Sequence, residues 1–123
     1  MKIGKISSID YDHGMVRVTY PDRGNSVSPP MPMLSEVYHM PQVGDLVLVA
    51  GLSNSGAGVV LGKFWTKENQ PATSGKGVFC HQLGNENGQA VISYDGSVLS
   101  ITTKGSLTLN GAQVIVNGRV ISP

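Results

Sequence analysis

The sequence has little of several things, and each shortage removes a class of protein. A single cysteine in 123 residues, Cys80, leaves no intrachain disulfide framework and fits a reducing compartment. Nine lysines and arginines stand against eight aspartates and glutamates, a net charge of +1, so nothing in the charge balance draws the chain toward nucleic acid or an anionic membrane. No apolar run approaches the roughly 18 residues that cross a bilayer, and the opening MKIGKISSID alternates where a signal peptide would carry an apolar block. The sequence is therefore expected to be made and assembled in the cytoplasm, with no signal peptide and no transmembrane segment. Amphipathic helical stripes are missing as well. With 16 glycines and 7 prolines punctuating short alternating runs, the chain reads as all-β. Any helix is expected to be one short piece, at 30–38 or 53–58.

What is present is concentrated in the tail. From residue 97 onward the runs VLSITT, SLTLN and AQVIVN follow one another, separated by Lys104-Gly105 and Asn110-Gly111 and closed by Asn117-Gly118. Each has the two-residue side-chain period of a strand, which places Leu99 and Ile101, Leu107 and Leu109, and Val114 and Val116 on one face. Ser100, Thr102, Thr108 and Gln113 fall mostly on the other. Asn110, Gly111, Asn117 and Gly118 are the expected turn residues, since Asn and Gly accept positive φ. One narrow apolar stripe cannot form a core by itself. Several copies of the chain that bring their stripes to a common axis would form one, so the tail reads as an oligomerisation device.

The charged residues divide the chain. Ten of the seventeen lie in residues 1–65, three in 66–77 and four beyond. The polar, turn-rich segment TKENQPATSGKG reads as a linker, giving an N-terminal domain over 1–66, a linker over 67–77 and the repetitive tail over 78–123. In the N-terminal part, IGKISSID and GMVRVTY are joined by a short hairpin in which Gly14 takes positive φ, and a proline-containing loop follows over 21–32. Then come MLSEVYHM, the loop PQVGD, DLVLVAGL, a turn at 53–58, and GVVLGKFW. Five short strands with a longer central connection are the inventory of a small closed barrel of the oligonucleotide/oligosaccharide-binding (OB) type. The nearly continuous apolar run over 46–50 predicts a strand covered on both faces, one inside the barrel and the other against a neighbouring subunit.

These runs carry a resemblance. MPQVGDLVLVAGL followed by GAGVVLGKFW resembles the central pattern of the baseplate assembly protein V family, the central spikes of contractile phage tails, which are related to the spike proteins of type VI secretion. The matching positions are Pro41, Val43, Gly44, Asp45, Val47 and Val49, then Val60, Gly62 and Phe64 or Trp65. Gly4, Ile6, Val16 and Val18 match the family's first hairpin, and the tail is similar to its triple-stranded β-helix. The resemblance implies a homotrimer: three OB-type barrels form a collar and three tails wind into an intertwined prism, a structural needle that pierces a target cell envelope. It implies hub and tail-tube proteins as partners, and a place at the baseplate of a phage, a tailocin or another injection particle. Many members carry a His-x-His tip that binds iron. Here His13, His39 and His81 lie far apart, so no metal is expected, and the short tail makes a blunt tip or takes a separate capping protein. No inserted lysozyme domain fits in the dozen linker residues.

Alternative chemistries are less well supported. A barrel of this type could bind single-stranded nucleic acid, but residues 1–65 hold five basic and five acidic side chains with no basic and aromatic interleaving. Cys80-His81 is the nearest approach to a nucleophile and base, and neighbours on a strand point to opposite faces. SNSGAGVVLG lacks the lysine and helix of a phosphate loop, and His13 sits in a turn. No catalytic residue, cofactor or metal ligand is assigned, and the chain is expected not to be an enzyme.

Overall fold

The runs KIGKISSID and MVRVTY pair antiparallel because both alternate and a four-residue turn ending in Gly14, at φ +64°, reverses the chain between them. They are β1 (Lys2–Asp10) and β2 (Met15–Tyr20). The structure, a computed structural model, describes residues 1–52 and 57–121. The chain divides into two units, Met1–Pro71 and Ala72–Pro123. Both are built of antiparallel β-sheet, and the one helical piece among the described residues is a 3-10 turn at Pro21–Arg23.

The N-terminal unit adds β3 (Ser26–Val27), β4 (Met31–Pro32), β5 (Leu46–Gly51) and β6 (Gly58–Lys63). Its sheet runs β3-β2-β1-β5-β6, with β4 also paired to β2. Beyond β4, Met33 forms a single parallel bridge to Val60, and the Leu34 amide donates to the Val60 carbonyl at 2.8 Å. The core is one cluster of buried side chains: Ile6, Val16, Val18, Tyr20, Met31, Val47, Val49 and Val60. A bulge at Ser7, whose hydroxyl donates to the Arg17 carbonyl at 3.1 Å, reconciles the odd spacing of Ile6 and Ile9. The extra residue reverses the parity of the strand, so both isoleucines meet the core. Gly4 permits a close approach, since a Cβ there would stand 3.0 Å from Val18 Cβ.

Three expectations differ in this unit. MLSEVYHM forms no strand: only Met33 bridges, and the Ser35 hydroxyl both donates to the Val37 carbonyl at 2.7 Å and accepts from the Val37 amide at 3.0 Å. That local loop competes with a ladder, and Leu34, Val37 and Tyr38 are left exposed. The 21–32 connection is more structured than a loop, because it supplies β3, β4 and the 3-10 turn. The short helix expected at 30–38 is absent; the alternative at 53–58, like the turn expected there, falls mainly outside the described residues. None of the sheets closes through a continuous ladder.

The C-terminal unit holds β7 (Phe79–Gln82), β8 (Ala90–Tyr94) and β9 (Leu99–Thr103) in one three-stranded meander, and the hairpin of β10 (Val114–Val116) and β11 (Arg119–Ile121). Asn117 at φ +50° and Gly118 at φ +77° make the two-residue turn with both central residues left-handed, which matches the twist of the flanking strands. SLTLN, expected as a strand, has no ladder partner among the described residues. Gly111 lies at a bend, without the positive φ expected of a turn glycine.

So small a core predicts high sensitivity at its buried positions. Met31→Ala, at a side chain only 1% exposed, is expected to lower stability by about 2–5 kcal/mol, read as a lower urea midpoint with an unchanged slope.

Candidate functional site

The register of the meander sorts its side chains into rows. Phe79, Tyr94 and Leu99 stand side by side; so do His81, Ile92 and Ile101; Ala90 and Thr103 pair in the row beyond, where the Leu83 amide reaches the Ala90 carbonyl at 2.9 Å. Directly opposed residues share a face, and alternate residues return to it. One face therefore carries Phe79, His81, Leu83, Ala90, Ile92, Tyr94, Leu99, Ile101 and Thr103, without a charged carboxylate, lysine or arginine. The other carries Cys80, Ser93, Ser100, Gln82, Val91 and Thr102. Cys80 and His81 thus point apart, and Gln82 Nε2 donates to Cys80 Sγ at 3.4 Å on the polar face.

This apolar face is open. Phe79, Leu83, Tyr94, Leu99 and Ile101 are between 40% and 66% exposed. At roughly 150–200 Å² for each such side chain, they show solvent on the order of 450 Å². Leu107, Leu109, Ile115, Val116, Val120 and Ile121 are between 50% and 63% exposed, about 600 Å² more on the same basis, spread over the segment 106–110 and both faces of the terminal hairpin. At about 450 Å² the meander face has the size of the largest apolar patch of a typical monomer, about 300–600 Å², which is often a functional surface.

The structure treats the six tail residues differently. Leu99 and Ile101 share the apolar face, with Ser100 and Thr102 opposite. Leu107 and Leu109 are exposed on a segment without a sheet partner. Val114 and Val116 share one face of the terminal hairpin, but Ile115 and Val120 pair on the other, so that hairpin is apolar on both sides. Sequence reading missed Phe79, Leu83, Ile92 and Tyr94. The alternation of FCHQL and AVISY carried the signal, but only the register shows that both runs add to the same face.

Gly44 and Asp45 form a brace on the N-terminal unit. Gly44 is left-handed at φ +95°, its amide donates to the Ile6 carbonyl at 2.8 Å, and the Ile6 amide donates to the Asp45 carbonyl at 2.9 Å. Asp45 Oδ2 accepts the Gln42 amide at 2.7 Å and lies 3.3 Å from Lys63 Nζ. This one carboxylate closes the turn, and the turn delivers Val47 and Val49 to the core. Pro41 is buried at its start, whereas Val43 is exposed. Val60 is fully buried and Gly62 faces Leu48 across the ladder. Leu46, Leu48 and Ala50 point outward, and Ile3, Leu48, Leu61 and Phe64 line a shallow apolar hollow there. The run over 46–50 is thus buried on one face within the chain and only partly covered on the other.

Among the described residues no group of three histidine, cysteine, aspartate or glutamate side chains could hold a metal ion. His13 is paired with Asp10 at 2.8 Å beside the β1–β2 turn. No described helix is long and apolar enough to cross a membrane. The fold defines an all-β protein of two sheet units; no family model matches the chain, and no curated protein matches it either.

Two predictions follow from these turns. Asp45→Ala removes a charge-assisted hydrogen bond and an ion pair together, and is expected to cost about 1–3 kcal/mol in urea unfolding. In the β8–β9 turn, the Val98 and Ser97 amides donate to Asp95 Oδ1 at 2.8 and 2.9 Å and hold its carboxyl below the usual value. A depressed carboxyl stabilises the turn above its unfolded value of about 3.9 and loses that contribution as pH falls through the lower folded value. Amide exchange at Ser97 and Val98 should accelerate, relative to the intrinsic rate, below about pH 3.9, and Asp95→Ala should show the faster exchange at neutral pH.

Proposed function

We propose that the chain is the structural central spike of a contractile phage tail or a related injection particle, assembled as a homotrimer through its C-terminal unit. The observation that carries this reading is the apolar face of β7–β8–β9, which bears no carboxylate, lysine or arginine and is open to solvent. The exposed apolar residues of 107–121 add further surface of the same kind for a neighbouring chain to cover. A face without fixed charge meets further copies of itself without repulsion, which favours self-association over a charged partner. The unpaired segment 106–110 has backbone groups available to a strand from another chain. Three tails wound together would cover these stripes and leave no sheet edge.

The N-terminal unit fits the collar barrel of the same reading. In a five-strand barrel of the OB type the end of the long connection must meet the last strand, and the Met33 bridge to Val60 lies where that seam would fall. Pro41, Gly44, Asp45, Val47, Val49, Val60 and Gly62, the residues of the family resemblance, brace and fill this unit. The outer hollow of Ile3, Leu48, Leu61 and Phe64 is then available to neighbouring subunits or hub proteins. A stiff prism of interchain ladders transmits an axial push because many backbone hydrogen bonds share the load. Chemistry plays no part in this role, and a separate capping protein would complete the tip.

The test is the mass in solution. Light scattering on the purified chain should give three times the 12.9 kDa of one chain, and Leu107→Asp with Leu109→Asp should reduce it to a single chain. A wild-type protein that remains one chain at all concentrations would overturn the reading.

A further inference from the structure

Two opposite charges stand at one end of the apolar face. The β7–β8 connection carries Glu86, and Lys104 follows directly on β9. The Lys104 amide donates to the Gln89 carbonyl at 3.1 Å, which extends the β8–β9 ladder by a step and brings Lys104 beside that connection. The connection is itself held in place. The Gly88 amide donates to Gln82 Oε1 at 2.9 Å, the Gln89 amide donates to the Glu86 carbonyl at 3.3 Å, and Gly84 leaves room for the Gln89 side chain, which a Cβ there would overlap. Glu86 and Lys104 line one open hollow of about 570 Å³, together with Leu83, Ala90 and Thr103 from the end of the apolar face. Among the described residues the ion pairs are His13 with Asp10 and Lys63 with Asp45, so Glu86 and Lys104 do not pair with each other within the chain. Asp95 lies at the opposite end of the meander, where its Oδ1 accepts the Ser97 and Val98 amides.

An apolar stripe holds copies together without fixing how far along the strands each one sits. Sliding a copy by two residues, about 7 Å, keeps the same side chains on the covered face and only exchanges one apolar row for the next. A charge pair cannot slide in this way. Resting on the self-assembly reading above, we infer that Glu86 of each copy pairs with Lys104 of the next, and that this ion pair sets the register in which the C-terminal units associate. The hollow is continuous with the apolar face through Ala90 and Thr103, so a copy seated on that face reaches it. Its two charges also complement their own copies. In a head-to-tail ring every copy offers Glu86 to one neighbour and Lys104 to the other, and each charge meets its opposite. A partner of a single sign would instead set a like charge against one of the two. Contact between Glu86 and Lys104 exists in one axial register only, which supplies the specificity that non-directional apolar burial lacks.

The measurement is light scattering over a range of protein concentrations, after refolding full chains from urea so that copies mix freely. Glu86→Lys leaves a chain with two cations at this end, and Lys104→Glu leaves one with two carboxylates. Either variant alone sets like charges together at every junction and should need roughly tenfold more protein than wild type to reach the multi-chain mass. Refolded as an equimolar mixture, the two should recover most of that loss, because a mixed ring of three copies has two matched junctions. Glu86→Gln, which removes the charge and keeps the size, should fall between wild type and Glu86→Lys. Assembly as in wild type by Glu86→Gln or by either charge reversal overturns the ion pair and leaves the assembly reading standing. A mixture that assembles no better than its components also overturns it, since a contact within one chain, or a folding defect, gains nothing from the other variant. Wild type that stays as single chains at every concentration overturns the assembly reading itself, and the register lock with it.

Discussion

A β-sheet must pair its edges and cover its apolar face, and the two units of this chain meet that constraint to different degrees. In the N-terminal unit, β1, β2, β4, β5 and β6 contribute Ile6, Val16, Val18, Met31, Val47, Val49 and Val60 to one cluster, each at most 2% exposed. The cluster is small, so a defect at one side chain reaches its neighbours. That is why the Ser7 bulge and the absence of a Cβ at Gly4 matter: each fits the backbone to this cluster of side chains. The Asp45 brace serves the same cluster from outside, by fixing where β5 begins.

The C-terminal unit leaves the constraint unmet within one chain. Its meander has pairing for β8 on both edges, but the apolar rows from Phe79 to Ile101 lack a cover, and 106–110 lacks a ladder. A soluble sheet with this much open apolar surface and no charge across it would be an aggregation hazard as an isolated chain. Closed association of the proposed kind would pair the edges and cover these rows.

Much of this was legible in the sequence where the signal is local. Gly14 after Tyr11-Asp12-His13, and Asn117-Gly118 between two apolar pairs, specify turns through positive φ, and both turns form. Leu99 and Ile101 share a face because alternation is a property of the strand alone. Local signals also misled. MLSEVYHM and SLTLN have the composition of strands, but a strand is held by a partner. Ser35 satisfies the backbone of the first locally, and nothing within the described chain pairs with the second. Gly111 shows the same limit, since a glycine permits a turn without requiring one.

The sequence by itself determined the all-β class, the positions of the tight turns and the apolar identity of each strand face. These depend on residue type and on a period of two, which act over a few neighbours. Tertiary structure decided which runs pair, the bulge that turns Ile9 inward, and the convergence of Phe79, His81, Tyr94, Leu99 and Ile101 on one surface. Register sets those outcomes, and register is a relation between strands far apart in sequence: a shift by one residue would reverse every side chain of a strand and move His81 to the polar face.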